Sequence, residues 1–218
     1  MARLEKKVLG EVKGRVGGIV GKVRYGKYYI ASLPAKYRMS KAPHEVDKRS
    51  RFKVNGLFAK TIKASELLYK VWEKEKAPAT NAYNKICKVN FKLCRTDRPS
   101  EQNVITPNGF KLEIINIASL PGGIEAELEP FDILEAEKRI MFIMIVSFYE
   151  PKKKELNFYE VKLIKDYSLD GMKLTFNYNS AEKLLASNYN KRTVFLAAVS
   201  EDEGGNIVRW SATVSKEL

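Results

Sequence analysis

Apolar positions recur along this chain with different periods, and each period predicts a different kind of element. Between residues 14 and 34 (GRVGGIVGKVRYGKYYIASLP), Val16, Ile19, Val20, Val23, Tyr25, Tyr28, Tyr29 and Ile30 alternate with glycine and with Lys or Arg. These β-formers predict a glycine-rich β ribbon with a hairpin turn at Tyr25-Gly26-Lys27. Tyr28, Ile30 and Ser32 then share one face, and Tyr29 and Ala31 the other. From about Glu45 to Lys76 the period changes. Val54, Leu57, Phe58, Ile62, Leu68, Val71 and Trp72 recur at three- and four-residue steps, the pattern of one long amphipathic helix. Pro78 ends it. Thr80 reads as the N-cap of a second helix that carries Tyr83, Ile86 and Cys87 and runs to about Asn90.

Beyond residue 110 the pattern shortens to strand lengths. The expected strands are residues 111–118, 124–129, 139–149, 158–164, 173–178, 194–200 and 208–214. Turns fall at Leu120-Pro121-Gly122-Gly123, at 151–154, at Asp170-Gly171 and at Gly204-Gly205-Asn206, with a helical turn over 180–187. About seven strands in this span predict an immunoglobulin-like or fibronectin-type antiparallel β-sandwich. The fold class is therefore α+β. Its expected parts are a basic β arm and connector (1–44), a two-helix hairpin (45–94), a polar linker (95–109) and the sandwich (110–218).

Charge sharpens this division. Residues 1–100 hold 25 basic and 8 acidic side chains, and residues 101–218 hold 14 and 18, within an overall net charge of +13. Segregation of this kind points to a polyanionic partner or to a head-to-tail electrostatic fit between copies. Six of the thirteen glycines lie between Gly10 and Gly26. Glycine inside strands lets another backbone approach closely, and two isolated strands are marginal in water. The ribbon is thus expected to need a second surface. Gly14, Gly17, Gly18, Gly21, Val16, Val20, Val23, Tyr25, Tyr28 and Ile30 are the self-association candidates.

The basic residues Arg15, Lys22, Arg24, Lys27, Arg38, Arg49 and Arg51 interleave with Tyr25, Tyr28, Tyr29, Tyr37 and Phe52. Cations neutralise phosphates and aromatic rings stack on unpaired bases, so these residues are candidates for polyanion binding. Lys53, Lys60, Lys63, Lys70 and Lys74 fall within about 100° of one another at helical geometry and extend that surface; the first three complete the candidate set.

Catalytic patterns are missing from the sequence. A phosphate loop needs G-x-x-x-x-G-K-[ST], but Gly21-Lys22 is followed by Val23, and Val16 stands where the first glycine belongs. The dinucleotide fingerprint lacks its βαβ unit. His44 is the single histidine, and Cys87 and Cys94 lie six residues apart without a second pair, which is no zinc spacing. Asp132, Glu135 and Glu137 read as surface charge in a loop. No cofactor, metal, small-molecule substrate or enzymatic activity is expected. No apolar stretch approaches ~20 residues and the N-terminus lacks an apolar leader core. A location in the cytoplasm, or inside a virus particle or other assembly, is expected.

Gly14, Gly17 and Gly21 around Val16 and Val20, then Gly26-Lys27-Tyr28-Tyr29-Ile30 and Leu33-Pro34, form a recognisable series. Arg49-Ser50-Arg51-Phe52, Ala82-Tyr83-Asn84 and Phe195-Leu196-Ala197-Ala198-Val199-Ser200 extend it. Together they resemble an uncharacterised family of bacterial proteins of about this length, across nearly the whole chain. Pro43-His44-Glu45-Val46 departs from the Thr-led, glutamine-bearing helix start of that family. The resemblance implies an architecture and no activity. The function expected from the residues is a self-assembling structural protein, a component of a filament, shell or virus particle, joined through strand exchange by the arm. The alternative is a module binding DNA or RNA through the arm and the lysine face of the first helix.

Overall fold

The computed structural model describes residues 13–24, 26–33, 39–76, 79–150, 158–165 and 173–218, with backbone alone for Arg24 and 158–165. Tyr25, Arg38, Pro78 and the turns expected at 151–154 and 170–171 lie outside them. The chain divides into two compact units, Met1–Ala42 and Pro43–Leu218. It is mixed α+β, with four helices and three antiparallel sheets among the described residues.

In the first unit, β1 (Gly14–Val16), β2 (Ile19–Arg24) and β3 (Lys27–Ser32) form a meander in the order β1-β2-β3. The sequence pattern predicts one turn; the chain makes two. The extra hairpin is closed by the Val16–Ile19 pair around Gly17-Gly18, with Gly17 at φ 56°, in the left-handed region a two-residue hairpin demands. The second hairpin brackets residues 25–26 between Arg24 and Lys27, as expected.

The second unit opens with α1 (Pro43–Ala64), α2 (Glu66–Lys74) and α3 (Ala82–Asn90). The single long helix expected over 45–76 is thus two. Ser65 leaves helical geometry (φ −84°, ψ 114°), and its hydroxyl accepts the Leu68 N–H, capping a new helix. Apolar spacing continues in phase across this elbow, which hid it in the sequence. The cap of α3 is Asn81, one residue later than expected; its side chain accepts the Asn84 N–H at 2.8 Å. Thr80 instead accepts from the Asn84 side chain.

Strands β4 (Ile114–Leu120), β5 (Gly123–Leu128), β6 (Arg139–Tyr149), β7 (Phe158–Lys165) and β8 (Lys173–Asn177) follow. After them come helix α4 (Ser180–Asn188) and strands β9 (Lys191–Glu201), β10 (Ile207–Trp210) and β11 (Val214–Glu217). One sheet has the order β4-β5-β8. The other has the order β10-β9-β6-β7, with β11 also paired to β9. The expected seventh strand is split in two at Ser211, whose hydroxyl accepts the Ala198 N–H and whose backbone bridges to Phe110. At that bridge a Cβ on Gly109 would meet the Trp210 carbonyl oxygen at 2.2 Å, so glycine is required there.

β6 and β9 are buried almost end to end on both faces. Ile140, Phe142, Met144, Val146 and Phe148, with Val194, Leu196 and Ala198, pack against Ile117, Ile124, Ala126, Leu128, Leu174 and Phe176 of the three-stranded sheet. The alternate residues Ile143, Ile145, Phe195, Ala197 and Val199 pack against Phe58, Ile62, Leu68, Val71, Trp72 and Ile86 of the helices. The helices are a third layer over the sheet, and the strict alternation of side chains along each strand assigns them that face.

Residues 95–109, expected as a linker, lie within this layer. Ile105, Asn103 and Thr106 are buried. Their polar groups are spent inside: Asn90 Oδ1 accepts the Val104 N–H (2.8 Å) and the Asn103 side chain (2.9 Å), and Asn90 Nδ2 donates to Val104 O (3.0 Å). The Trp72 indole donates to Ile105 O (2.8 Å), and Thr213 Oγ1 accepts the amides of Ile105 and Thr106. The polarity of Asn103 and Thr106 marks buried hydrogen bonding, whereas Arg95, Thr96, Asp97, Glu101 and Gln102 of the same segment are exposed.

Glu137 departs in the same way from its reading as surface charge. Its side chain is 1% exposed and accepts from Arg209 Nε (2.6 Å) and Nη2 (2.8 Å), Ser200 Oγ (2.6 Å) and the Leu134 N–H (2.6 Å). The Arg209 guanidinium lies 4.4 Å over the Phe110 ring. Burial pushes the carboxyl up, but the bonds from Arg209, Ser200 and Leu134 outweigh it and hold it below its ordinary 4.5. A depressed folded-state value means the contribution is present above 4.5 and is lost as pH falls through the lower native value. Glu137→Ala should cost about 3 kcal/mol in urea unfolding at neutral pH by stranding the half-buried guanidinium. The gap between wild type and variant should narrow on acidification below pH 4.5; a gap independent of pH would show that the carboxylate is not the stabilising species.

Candidate functional site

Strand register sorts the ribbon's side chains into two unlike faces. Gly21 stands opposite both Gly14 and Ile30, Val16 opposite Ile19, Ile19 opposite Ser32, and Val23 opposite Tyr28. One face therefore carries Gly14, Val16, Ile19, Gly21, Val23, Tyr28, Ile30 and Ser32. Arg15 opposite Val20, Val20 opposite Ala31, Lys22 opposite Tyr29, and Lys27 at the turn belong to the other. The ribbon is amphipathic, apolar on one side and basic on the other.

The apolar side is open. Val16 is 62% exposed, Ile19 43% and Val23 42%. Among the described residues of this unit only Gly21 is buried, and Tyr28, Tyr29 and Ile30 are half-buried. A sheet of three strands reaches independent stability by covering a hydrophobic face. This face holds Val16, Ile19, Val23 and Ile30, and leaves the first three exposed and Ile30 half-buried.

Most of the self-association candidates converge there: Gly14, Val16, Gly21, Val23, Tyr28 and Ile30. Gly17 and Gly18 make the turn, and Val20 falls on the basic side. Ile19, outside the candidate set, lies on the same face, between Val16 and Ser32 in the row beside the first turn. The hairpin at Gly17-Gly18 sets the strand register, and the Gly-Gly pair between β-formers is its sequence signal. Of the polyanion candidates, Arg15, Lys22 and Lys27 share the basic face, and Arg15 Nε donates to Gly17 O at 3.3 Å.

Helix α1 presents the remaining cations. Lys53, Lys60 and Lys63 are exposed, Arg49 is exposed beside them, and Phe52 stands 67% exposed on the same flank. Lys63 Nζ lies 5.9 Å from the Tyr69 ring centroid. The elbow at Ser65 removes the last two lysines from the expected five-lysine stripe. Lys70 Nζ pairs with Glu66 at 2.9 Å, and Lys74 Nζ donates to the Ile207 carbonyl. Arg51 points about 160° away from Lys53 at helical geometry and lines a separate cavity.

The thiols are free, Cys87 half-buried and Cys94 buried. Burial pushes the Cys94 thiol up to about 11, against an opposing hydrogen bond from Asn103. Burial raises Cys87 as well, against the Tyr83 hydrogen bond. His44 is exposed at the start of α1, 3.2 Å from Glu45. Among the described residues no three His, Cys, Asp or Glu side chains cluster as a metal site. Ellman titration of native protein at pH 8 should leave Cys94 unreacted over minutes and count both thiols only after unfolding. Two fast thiols in the native state would contradict the burial.

No protein-family model matches this chain, and no curated protein does either.

Proposed function

We propose that this protein is a non-enzymatic structural protein that self-associates through its N-terminal ribbon. The carrying observation is the three-stranded sheet whose β-branched face is open, with Val16, Ile19 and Val23 in water. The ribbon's strands satisfy one another, so the joint forms at what they leave over. That is the apolar face, together with the outer edges of β1 and β3, where strand addition by another copy extends the sheet. Gly14 on that face, with open space where a Cβ would stand, allows close approach of a second backbone. The Pro43–Leu218 unit, with its own two-sided core, supplies the body of a filament, shell or virus-particle component.

The finer fold reading of that body is an immunoglobulin- or fibronectin-like sandwich with a helical layer added. Supporting it, β4-β5-β8 face β10-β9-β6-β7, the strand order of an A-B-E sheet against a G-F-C sheet with one further strand. The likeness to a bacterial family of unrecorded role belongs to the same reading. Among the described residues no helix is long and apolar enough to cross a membrane.

Sedimentation velocity tests the assembly. The full chain should associate in a concentration-dependent way, and removal of residues 1–34 should yield monomers. Val16→Ser, Ile19→Ser and Val23→Ser combined should raise the dissociation constant at least about a hundredfold, since each buried side chain of this kind is worth about 1.5–3 kcal/mol. A full-length chain that stays monomeric at every concentration would end the proposal.

A second reading, nucleic-acid binding, is favoured by the placement of Arg15, Lys22 and Lys27 on the face opposite the apolar one. Both activities then coexist without competing for a surface. On double-stranded DNA each neutralised phosphate contributes about −0.9 to the slope of log affinity against log salt. Converting the three cations to alanine should flatten that slope by about 3. An unchanged slope would place the contacts elsewhere.

A further inference from the structure

We infer that the turn following α3 is a binding site for a phosphate monoester, independent of the ribbon. An open cavity of about 510 Å³ lies there, walled by Arg51 of α1 and by Lys92, Arg95 and Arg98 after α3, with Asp97 and Glu101 as its acids. Its volume is within the range that takes a small organic ligand.

The charges do not cancel. Arg98 is already committed: its Nη1 donates to Asp97 at 2.7 Å, its guanidinium lies 4.3 Å over the Tyr149 ring, and its Nε is 3.7 Å from Glu217. One Glu101 carboxylate oxygen is taken by the Glu217 backbone N–H at 2.6 Å. Arg51, Lys92 and Arg95 meet no acid within ion-pair distance among the described residues. Three cations around one concavity repel one another, and a dianion between them relieves that repulsion. Guanidinium groups bind phosphate oxygens in pairs, and an ammonium adds a point charge.

The frame that presents them is fixed. The Cys94 N–H donates to Asn90 O (3.1 Å), the Arg95 N–H to Arg98 O (2.9 Å) and the Asn103 N–H to Ser100 O (3.0 Å). Ser100 Oγ donates to Leu93 O (2.7 Å), and the Ser100 N–H to Asn103 Oδ1 (2.8 Å). A turn held by buried Asn90 and Asn103 positions its side chains before any ligand arrives. The cations gather around a hollow and are not strung along a stripe. This suits a compact dianion with a small organic remainder better than an extended polymer.

Isothermal titration of the full-length protein at low ionic strength tests the site, with inorganic phosphate, a nucleoside monophosphate and a short single-stranded oligonucleotide as probes. One equivalent of the monophosphate should bind, at least as tightly as inorganic phosphate. Arg51→Ala, Lys92→Ala or Arg95→Ala should each weaken it about tenfold. A control carrying alanine at Arg15, Lys22 and Lys27 should bind it as wild type does, and the cavity variants should self-associate normally, which separates this site from the ribbon. No binding by either small probe, binding of the oligonucleotide alone, or unchanged affinity in all three cavity variants would each overturn the inference. Thermal unfolding of each variant without ligand confirms that the exposed substitutions leave the fold intact.

Discussion

Burial of β6 and β9 on both faces is the constraint from which the Pro43–Leu218 unit is built. Eleven residues of each strand pair in unbroken register from Arg139–Glu201 to Tyr149–Lys191. An antiparallel sheet ordinarily leaves one face to water and so alternates apolar with polar. Here neither face is spared, so each needs its own cover. The three-stranded sheet takes one side and the helices the other. The segment after α3 then passes partly buried along this sandwich, which accounts for its buried Asn103 and Thr106.

The ribbon obeys the opposite arithmetic. Its strands have regular register and tight hairpins, but nothing among the described residues gives its apolar face the layer that β6 and β9 receive twice over. Local hydrogen bonding is complete enough to define a sheet; burial is not complete enough to explain why a sheet with that face is kept. The Pro43–Leu218 unit thus represents the rule applied and the ribbon the rule left open, which is why the fold rests on the former and the proposed function on the latter.

Much of this was legible from residues. The run from Ile140 to Phe148 read as a strand because of its length and β-branched content, and Gly26 marked its turn. What periodicity could not supply was the number of covered faces, since a continuous apolar run fits a buried strand in several architectures. Ser65 escaped notice because Phe58, Ile62, Leu68 and Trp72 stay in helical phase across it. Glu137 and Asn103 looked like surface because polarity was taken for exposure, when each was polar in order to satisfy a buried partner. In the candidate site the chemistry of the arm and the two faces of β3 are legible, Tyr28, Ile30 and Ser32 against Tyr29 and Ala31; the faces of the whole ribbon are not, because they depend on register and register on a hairpin hidden among neighbouring glycines.

One consequence follows from the ribbon's two faces. If copies join through their apolar sides, the outward surfaces of the stack become a polycation denser than any single chain presents. Counterion condensation and oligomerisation are then thermodynamically linked: whatever neutralises the outer surface tightens the joint, and the joint raises affinity for the neutralising polymer by the same factor.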